Sequence, residues 1–315
     1  MSEQKIEAVR WVFAANTFLI LMKLLVTWMT GSLAVLATLV DSAFDMLGTA
    51  FAYIGIKKAA EPADLEHLYG HGKVESLAGL AQMTLIGITA LLLISEAVKR
   101  IILPVHLDVT IYDIAAMGIN ILIDLRMSSY LRKKSAETGS VALEASAANY
   151  TSDVWQNSAV LVGLIFMQMD FAIADPLAAI IIALFMLRIV RSVGGKAMGE
   201  LLDISPDKQI IKEIADAILG VKDVKSFHHL RARMVEGKAL VDVHLQLGPN
   251  LTLLQAHKIS HNVRETVLKK VPTVGDMFIH IEPEGDREPG EKITPFEFTH
   301  GKKPATNKRN KQKKR

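Results

Sequence analysis

Six long apolar runs separated by short charged segments fill the first two hundred positions: Trp11 to Met29, Leu33 to Ile56, Leu77 to Val98, Ile111 to Leu131, Ala142 to Met169 and Phe171 to Val190. Each is close to or above the ~20 residues an α-helix needs to cross the hydrocarbon core of a bilayer. The pattern predicts an all-α, six-helix transmembrane domain over residues 11–200, preceded by a short N-terminus of residues 1–10. Past Gly199 the long runs stop and shorter periods take over, with a boundary near Leu202 to Ser205. Ser205 and Pro206 read as N-cap and first helical residue of a helix reaching Leu219. Val224 to Met234 and Ala239 to Leu247 alternate as strands. Thr252 and Gln255 form a capping box opening a helix to Lys270, and Met277 to Glu282 is a closing strand. The order α-β-β-α-β over residues 201–285 predicts a small α+β domain, two helices on one face of a three-stranded sheet.

Charge gives the runs an orientation. Lys5, Arg10, Lys57, Lys58, Lys73, Arg132, Lys133, Lys134, Arg191 and Lys196 fall on the side of the termini, against Lys99 and Arg100 on the other. Basic excess marks the cytoplasmic side, so both termini are expected there, in the cell inner membrane or one derived from it. Trp11 and Trp28, about 25 Å apart at the helical rise, suit interfacial anchors of the first span. The charged stretch Met1 to Arg10, followed by a full-length apolar run, does not read as a cleavable signal. A 50% hydrophobic composition with mean hydropathy +0.27 agrees with a membrane protein carrying one soluble appendage. Cysteine is absent, which excludes disulfides, thiolate ligands and thiol nucleophiles. The net charge of +3 owes much to the tail, residues 286–315, whose basic cluster from Lys302 to Arg315 reads as disordered, either simply solvated or touching anionic lipid. No P-loop, nucleophile elbow or HExxH pattern supports an enzyme, and no nucleic-acid partner is indicated.

Against this apolar background a few polar residues stand out. Asp41 and Asp45 are one helical turn apart in the second run, and Asn149 and Asp153 repeat the spacing in the fifth. A carboxylate at bilayer depth is tolerated where it faces a partner, an ion or a water-filled path. Residues at i and i+4 share a helix face, so two such helices side by side bring four oxygen ligands around one cation. Asp113 and Asp124 in the fourth run read instead as interfacial, Asp124 because Arg126 follows it. Asn16 and Lys23 snorkel or pair with a neighbouring helix, Asp175 before Pro176 shapes a turn, and the glycines of the segment 69–73 permit a tight loop. Histidines gather in the soluble domain: His228, His229, His244, His257, His261 and His280, with Glu282 on the same strand face as His280 and His257 at i, i+4 from His261.

Taken together, these residues resemble the cation diffusion facilitators. The carriers are DSAFD at 41–45, PADLEHLYGHGKVES at 62–76, NYTSD at 149–153, ADP at 174–176, LLD at 201–203, HHLRAR at 228–233, VDVHL at 241–245, LLQAH at 253–257 and IHIEP at 279–283, spanning Ile6 to Glu284. The resemblance implies a homodimeric exporter that exchanges a divalent metal for protons, with no organic cofactor. A heterodimer with a paralogue stays open. It implies a transport site at Asp41, Asp45, Asn149 and Asp153, a loop site at Asp64, His67 and His71, and a cytoplasmic site bridging two protomers at His228, His244, His257, His280 and Glu282. Lys73 and Asp203 match a pair that forms a charge interlock in the family. His229 and His261 match no family role.

One departure bears on the cargo. Zinc-selective members carry His where this chain has Asn149, and an Asn there is similar to some iron-loading members of magnetosome membranes. Three carboxylates and an amide suit Fe²⁺ or Mn²⁺ better than Zn²⁺. Asn149 cannot titrate, so coupling protons fall to Asp41, Asp45 or Asp153. The competing reading is a metal-responsive membrane scaffold that stabilises a partner and transports weakly or not at all.

Overall fold

The computed structural model describes residues 2–30, 33–103, 111–167, 174–285 and 298–299; within these, the side chains of Asp41, Asp113 and Asp175 lie outside the described set, as does nearly all of the basic tail. The chain divides into two compact units at the Leu202/Asp203 bond.

The first unit is helical: α1 (Ser2–Thr30), α2 (Leu33–Ala59), α3 (Lys73–Ile102), α4 (Ile111–Thr138), α5 (Val141–Met167), α6 (Ala174–Ile189) and α7 (Gly195–Leu201). Among the described residues, Glu3–Met29, Lys73–Ile102, Ile114–Thr138 and Pro176–Leu201 are long and apolar enough to cross a membrane. The last of these outruns its sequence expectation. Where the apolar run stops near Val190, the backbone continues through a π-helical turn, Val190–Gly194, into α7. Packing explains the extension: Val193 and Ala197 are buried, and Glu200 accepts a hydrogen bond from Ser76 of α3.

Helix α5 sits between two apolar clusters. Its Leu143, Ala147 and Tyr150 join Val9, Val12, Ala52, Ile56 and Leu131 from α1, α2 and α4, whereas Ala145 and Ala148 join Met83, Ile86, Ile182 and Met186 from α3 and α6. Small residues on α5 let five helices approach it closely. At Gly55 the constraint is explicit, since a Cβ there would collide with the Ala78 side chain where α2 crosses α3. Lys5 of α1 and Glu75 of α3 form a buried ion pair at 2.7 Å.

The second unit runs α8 (Lys208–Leu219), β1 (Val224–Val235), β2 (Lys238–Leu247), α9 (Leu253–Lys270) and β3 (Val274–Pro283), with a short β4 (Phe298–Thr299). The sheet order is β3-β2-β1-β4. β1 and β2 are antiparallel, and β2 and β3 are parallel. The expected three strands are present, and β4 adds a fourth on the outer edge of β1 at Ser226 and Phe227. Helix α8 begins two residues later than expected. Asp207, itself a favoured N-cap residue, is extended at ψ 147° and its carbonyl accepts the first helical bond, from Ile211.

On β2 every second residue joins the core: Ala239, Val241, Val243, Leu245 and Leu247 are buried against Ile211, Ile214 and Ile218 of α8 and Val263 and Val267 of α9. On β1 the inward residues are Phe227, then Leu230, Ala232 and Met234, a change of parity produced by a bulge between His228 and Arg231. The β1–β2 turn has positive φ at both Glu236 and Gly237, as a two-residue hairpin of matching twist requires. The predicted capping box on α9 is formed: Thr252 Oγ1 accepts from Gln255 N, and Gln255 Oε1 accepts from Thr252 N at 2.9 Å. Thr252→Ala is expected to cost about 1 kcal/mol, read as a lowered denaturation midpoint of the isolated domain; an unchanged midpoint would mean that the cap adds nothing.

Candidate metal centres

In the helical unit, Asp45 of α2 meets Asn149 and Asp153 of α5. Asn149 Nδ2 donates to Asp45 Oδ1 at 2.8 Å and to Asp153 Oδ2 at 3.3 Å. All three are half-buried. They border a cavity of about 30 Å³ whose other polar lining is Thr89, Ser152 and Gln156, with Ile86 and Met186 as apolar wall. That volume suffices for one small occupant. Asp41 sits one turn before Asp45 on α2, and its side chain is outside the described residues. Gln156 and Thr89 escaped the sequence reading. The signal for Gln156 was available, because 149, 153 and 156 form one stripe at helical period.

A polar chain braces this region. Tyr150 donates to Asn16 Oδ1 at 2.6 Å, Asn16 Nδ2 donates to Thr49 Oγ1 at 2.8 Å, and Thr49 Oγ1 donates to the carbonyl of Asp45 at 2.8 Å. Lys23 donates to Ser42 Oγ at 2.7 Å. Asn16 and Lys23 of α1 thus pair with α2, one of the two roles their positions suggested. Asp124 departs from its expected interfacial placement: it is 1% exposed, enclosed between α4 and α5.

Between α2 and α3, Asp64 Oδ1 lies 3.3 Å from His67 Nδ1, and Asp64 Oδ2 lies 3.2 Å from His71 Nε2. The imidazoles of His67 and His71 are 4.5 Å apart between centroids. Backbone N–H groups fix the carboxylate: His67 N and Glu66 N donate to Oδ1 at 2.7 and 2.9 Å. These bonds, the His67 one first, hold Asp64 below the usual carboxylate range. It therefore stays ionised at neutral pH and loses its charge only as pH falls through that lowered value. Gly70, at φ +80°, makes the turn that returns the chain to His71. His71 is buried, and neither ring nitrogen finds a hydrogen bond among the described residues.

In the second unit, His228, His244 and His280 occupy one row across β1, β2 and β3, in register and on the face opposite the helices. Glu282, two residues past His280, joins them: its Oε1 is 2.7 Å from His244 Nδ1 and 3.6 Å from His280 Nε2, and its Oε2 is 3.2 Å from His228 Nε2. His229 enters too. It sits in the bulge at φ +50°, and its ring lies 5.0 Å from that of His244. Strict alternation would have put it on the other face, and the family resemblance assigned it no role. His257 pairs instead with His261 on exposed α9, ring centroids 4.4 Å apart. Lys73 and Asp203 belong to different units: Lys73 donates to the carbonyl of Leu201 at 3.2 Å, and Asp203 pairs with Arg233 at 3.5 Å.

Comparison with known proteins adds an independent line. The family model for the cation efflux transmembrane domain matches residues 9–202, and that for the cation efflux protein cytoplasmic domain matches residues 206–284. The cation-efflux pump FieF of Citrobacter koseri is 32% identical over 267 residues, covering 85% of this chain and 89% of the relative. FieF of Salmonella agona is 32% identical over 270 residues, covering 86% and 90%. A solved MamM CTD variant aligns with 27% identity over 24% of this chain and 96% of its own, at a TM-score of 0.24.

Proposed function

The chain belongs to the cation efflux family, and from that membership we propose that it moves a divalent metal ion, Fe²⁺ or Mn²⁺ ahead of Zn²⁺, out of the cytoplasm in exchange for protons. It works as a dimer, crossing the membrane six times with both termini cytoplasmic. The observation that carries this reading is the meeting of Asp45, Asn149 and Asp153 at one small cavity inside the helical unit. Asp41, on the same face of α2, supplies a fourth oxygen.

The chemistry follows from the donor set. Carboxylates and an amide oxygen favour hard ions, and nothing in the set is soft enough to select Zn²⁺. Asn149 donates N–H to both carboxylates in the structure; ligation through Oδ1 takes a half-turn of the amide. The amide thus has two uses, clamping the carboxylates together and facing the ion. Carboxylates this close cannot all stay charged without a cation among them, so metal and protons replace one another as the site faces each side in turn.

Two further sites serve the same cargo. Asp64, His67 and His71 take an ion at the membrane surface, and His228, His244, His280 and Glu282, with His257 contributed across the dimer, take ions that draw two cytoplasmic domains together. Metal binding at the sheet face then biases the helices, a coupling between distinct sites.

Purified protein in liposomes, given Mn²⁺, Fe²⁺ and Zn²⁺ side by side, tests the reading. Asn149→His replaces an amide oxygen with an imidazole nitrogen and is expected to raise the Zn²⁺ to Mn²⁺ flux ratio about tenfold. A ratio that does not move would take selectivity away from Asn149, and absence of flux for all three ions would sink the transport reading.

A further inference from the structure

Between α4 and α5 lies a carboxyl group that the metal sites leave unused. Asp124, midway along α4, is 1% exposed. Its Oδ2 accepts from Asn120 Nδ2 at 3.1 Å and from Asn157 Nδ2 at 3.3 Å, both neutral donors. Asn120 is itself buried, 5% exposed, and its Oδ1 has no hydrogen-bond partner among the described residues. The carboxyl is thus held by two neutral amides, beside a buried acceptor that lacks a donor. A metal ion suits it less well: the cavity at Asp45, Asn149 and Asp153 is not lined by Asn120, Asp124 or Asn157, whereas a proton needs no volume.

Position ties this group to the ion. Asn157, which donates to Asp124, is one turn past Asp153 on α5 and directly follows the cavity-lining Gln156. The charged and titratable groups that act on it are Lys23 of α1, Asp45 of α2 and Tyr150 of α5. Asp45 is also the group that meets the ion. A divalent cation beside Asp45 reverses the charge that faces Asp124, and its departure restores a like-charged neighbour.

We propose that Asp124 carries one of the coupling protons of transport, yielding it to water as the ion enters the cavity and taking one back as the ion leaves. The inference rests on the ion–proton exchange proposed above, and it assigns part of that exchange to a residue outside the four ligands. Charge balances if the second proton of a 2+ for 2H⁺ exchange rides on the ligand carboxylates.

The test uses the full chain in liposomes with an imposed pH gradient and Mn²⁺ as the probe, comparing wild type with Asp124→Asn and Asp124→Glu. Asparagine keeps the volume and an acceptor for the two amides but cannot carry the proton. Each coupling proton raises about tenfold the ion gradient that one pH unit can sustain. Asp124→Asn is therefore expected to lower steady-state Mn²⁺ accumulation about tenfold per pH unit, while downhill Mn²⁺ flux and Mn²⁺ affinity persist. Asp124→Glu, which keeps a titratable carboxyl, is expected to retain the wild-type accumulation. Wild-type accumulation in Asp124→Asn overturns the proposal and leaves the exchange intact. Loss of Mn²⁺ binding in the same variant also overturns it, by making Asp124 a ligand or a structural prop. A wild-type protein indifferent to the pH gradient defeats the exchange reading itself.

Discussion

Replacing Asp45 with alanine is expected to reduce Mn²⁺ flux in proteoliposomes by about a hundredfold or more, while dimer formation and metal binding by the cytoplasmic domain stay near wild type. The asymmetry comes from what the side chain touches. Its Oδ1 is held by Asn149, and through that amide it is joined to Asp153, so its removal takes one ligand and frees the clamp on another. Its contribution to packing is small, because the residue is half-buried and its backbone carbonyl, not its carboxylate, holds the brace from Thr49. Removing groups that merely orient metal ligands already costs about 10–100-fold in affinity, and a charged ligand in a low-dielectric site should cost no less. The second unit has its own apolar core and its own ligands, so it should not register the change. Flux that survives in Asp45→Ala would mean that the ion takes another route through the helices.

The parts of the molecule legible in the sequence are those governed by a single period. The pairs Asp41/Asp45 and Asn149/Asp153 were visible because i, i+4 spacing fixes a shared face, and the structure brings the described three together. The β2 strand was visible because Ala239, Val241, Val243, Leu245 and Leu247 put an apolar residue at every second position. Asp124 was misread because of its neighbour. Arg126 is exposed, but two residues along a helix is roughly 200° of rotation, so an exposed Arg126 argues for, and not against, an inward Asp124. His229 was counted among the histidines of the domain but given no role; a one-residue bulge cancels the alternation that would turn it from the row, and nothing in the string HHL announces it. The π-turn at Val190–Gly194 was equally silent: it carries the sixth helix past the end of its apolar run into a segment whose burial depends on α3.

Both kinds of centre hold ligands in place through polar contacts that a cation would displace. In the helical unit an amide donates to two carboxylates; in the sheet one carboxylate shares a hydrogen bond with His244 and lies 3.2 Å from His228 and 3.6 Å from His280. The first set is all oxygen and suited to passing a hard ion onward. The second is richer in nitrogen and binds borderline ions more firmly. On the proposed reading, weak holding on the path and firm holding where supply is sensed would match that division of donor sets.

Glu282→Ala is accordingly expected to lower the metal affinity of the cytoplasmic domain about a hundredfold and to remove most of its metal-induced stabilisation. That stabilisation would reach about 2.7 kcal/mol at a free metal concentration one hundred times the dissociation constant, so the same metal concentration would leave the variant with only about 0.4 kcal/mol. Glu282 is the hub because each of its oxygens reaches a different strand: Oε1 to His244 and His280, Oε2 to His228. Alanine leaves three imidazoles in one row with no anion between them, and their mutual repulsion on any protonation opposes closure around an ion. Glu282→Asp keeps the charge one methylene shorter and should fall between the two, because the reach to all three strands is then incomplete. The measurement is the shift in thermal midpoint on adding Zn²⁺ or Mn²⁺, compared across the three proteins. If the shift is the same in Glu282→Ala as in wild type, the histidine row stabilises the sheet without sensing metal, and the coupling between cytoplasmic binding and transport has to be sought elsewhere.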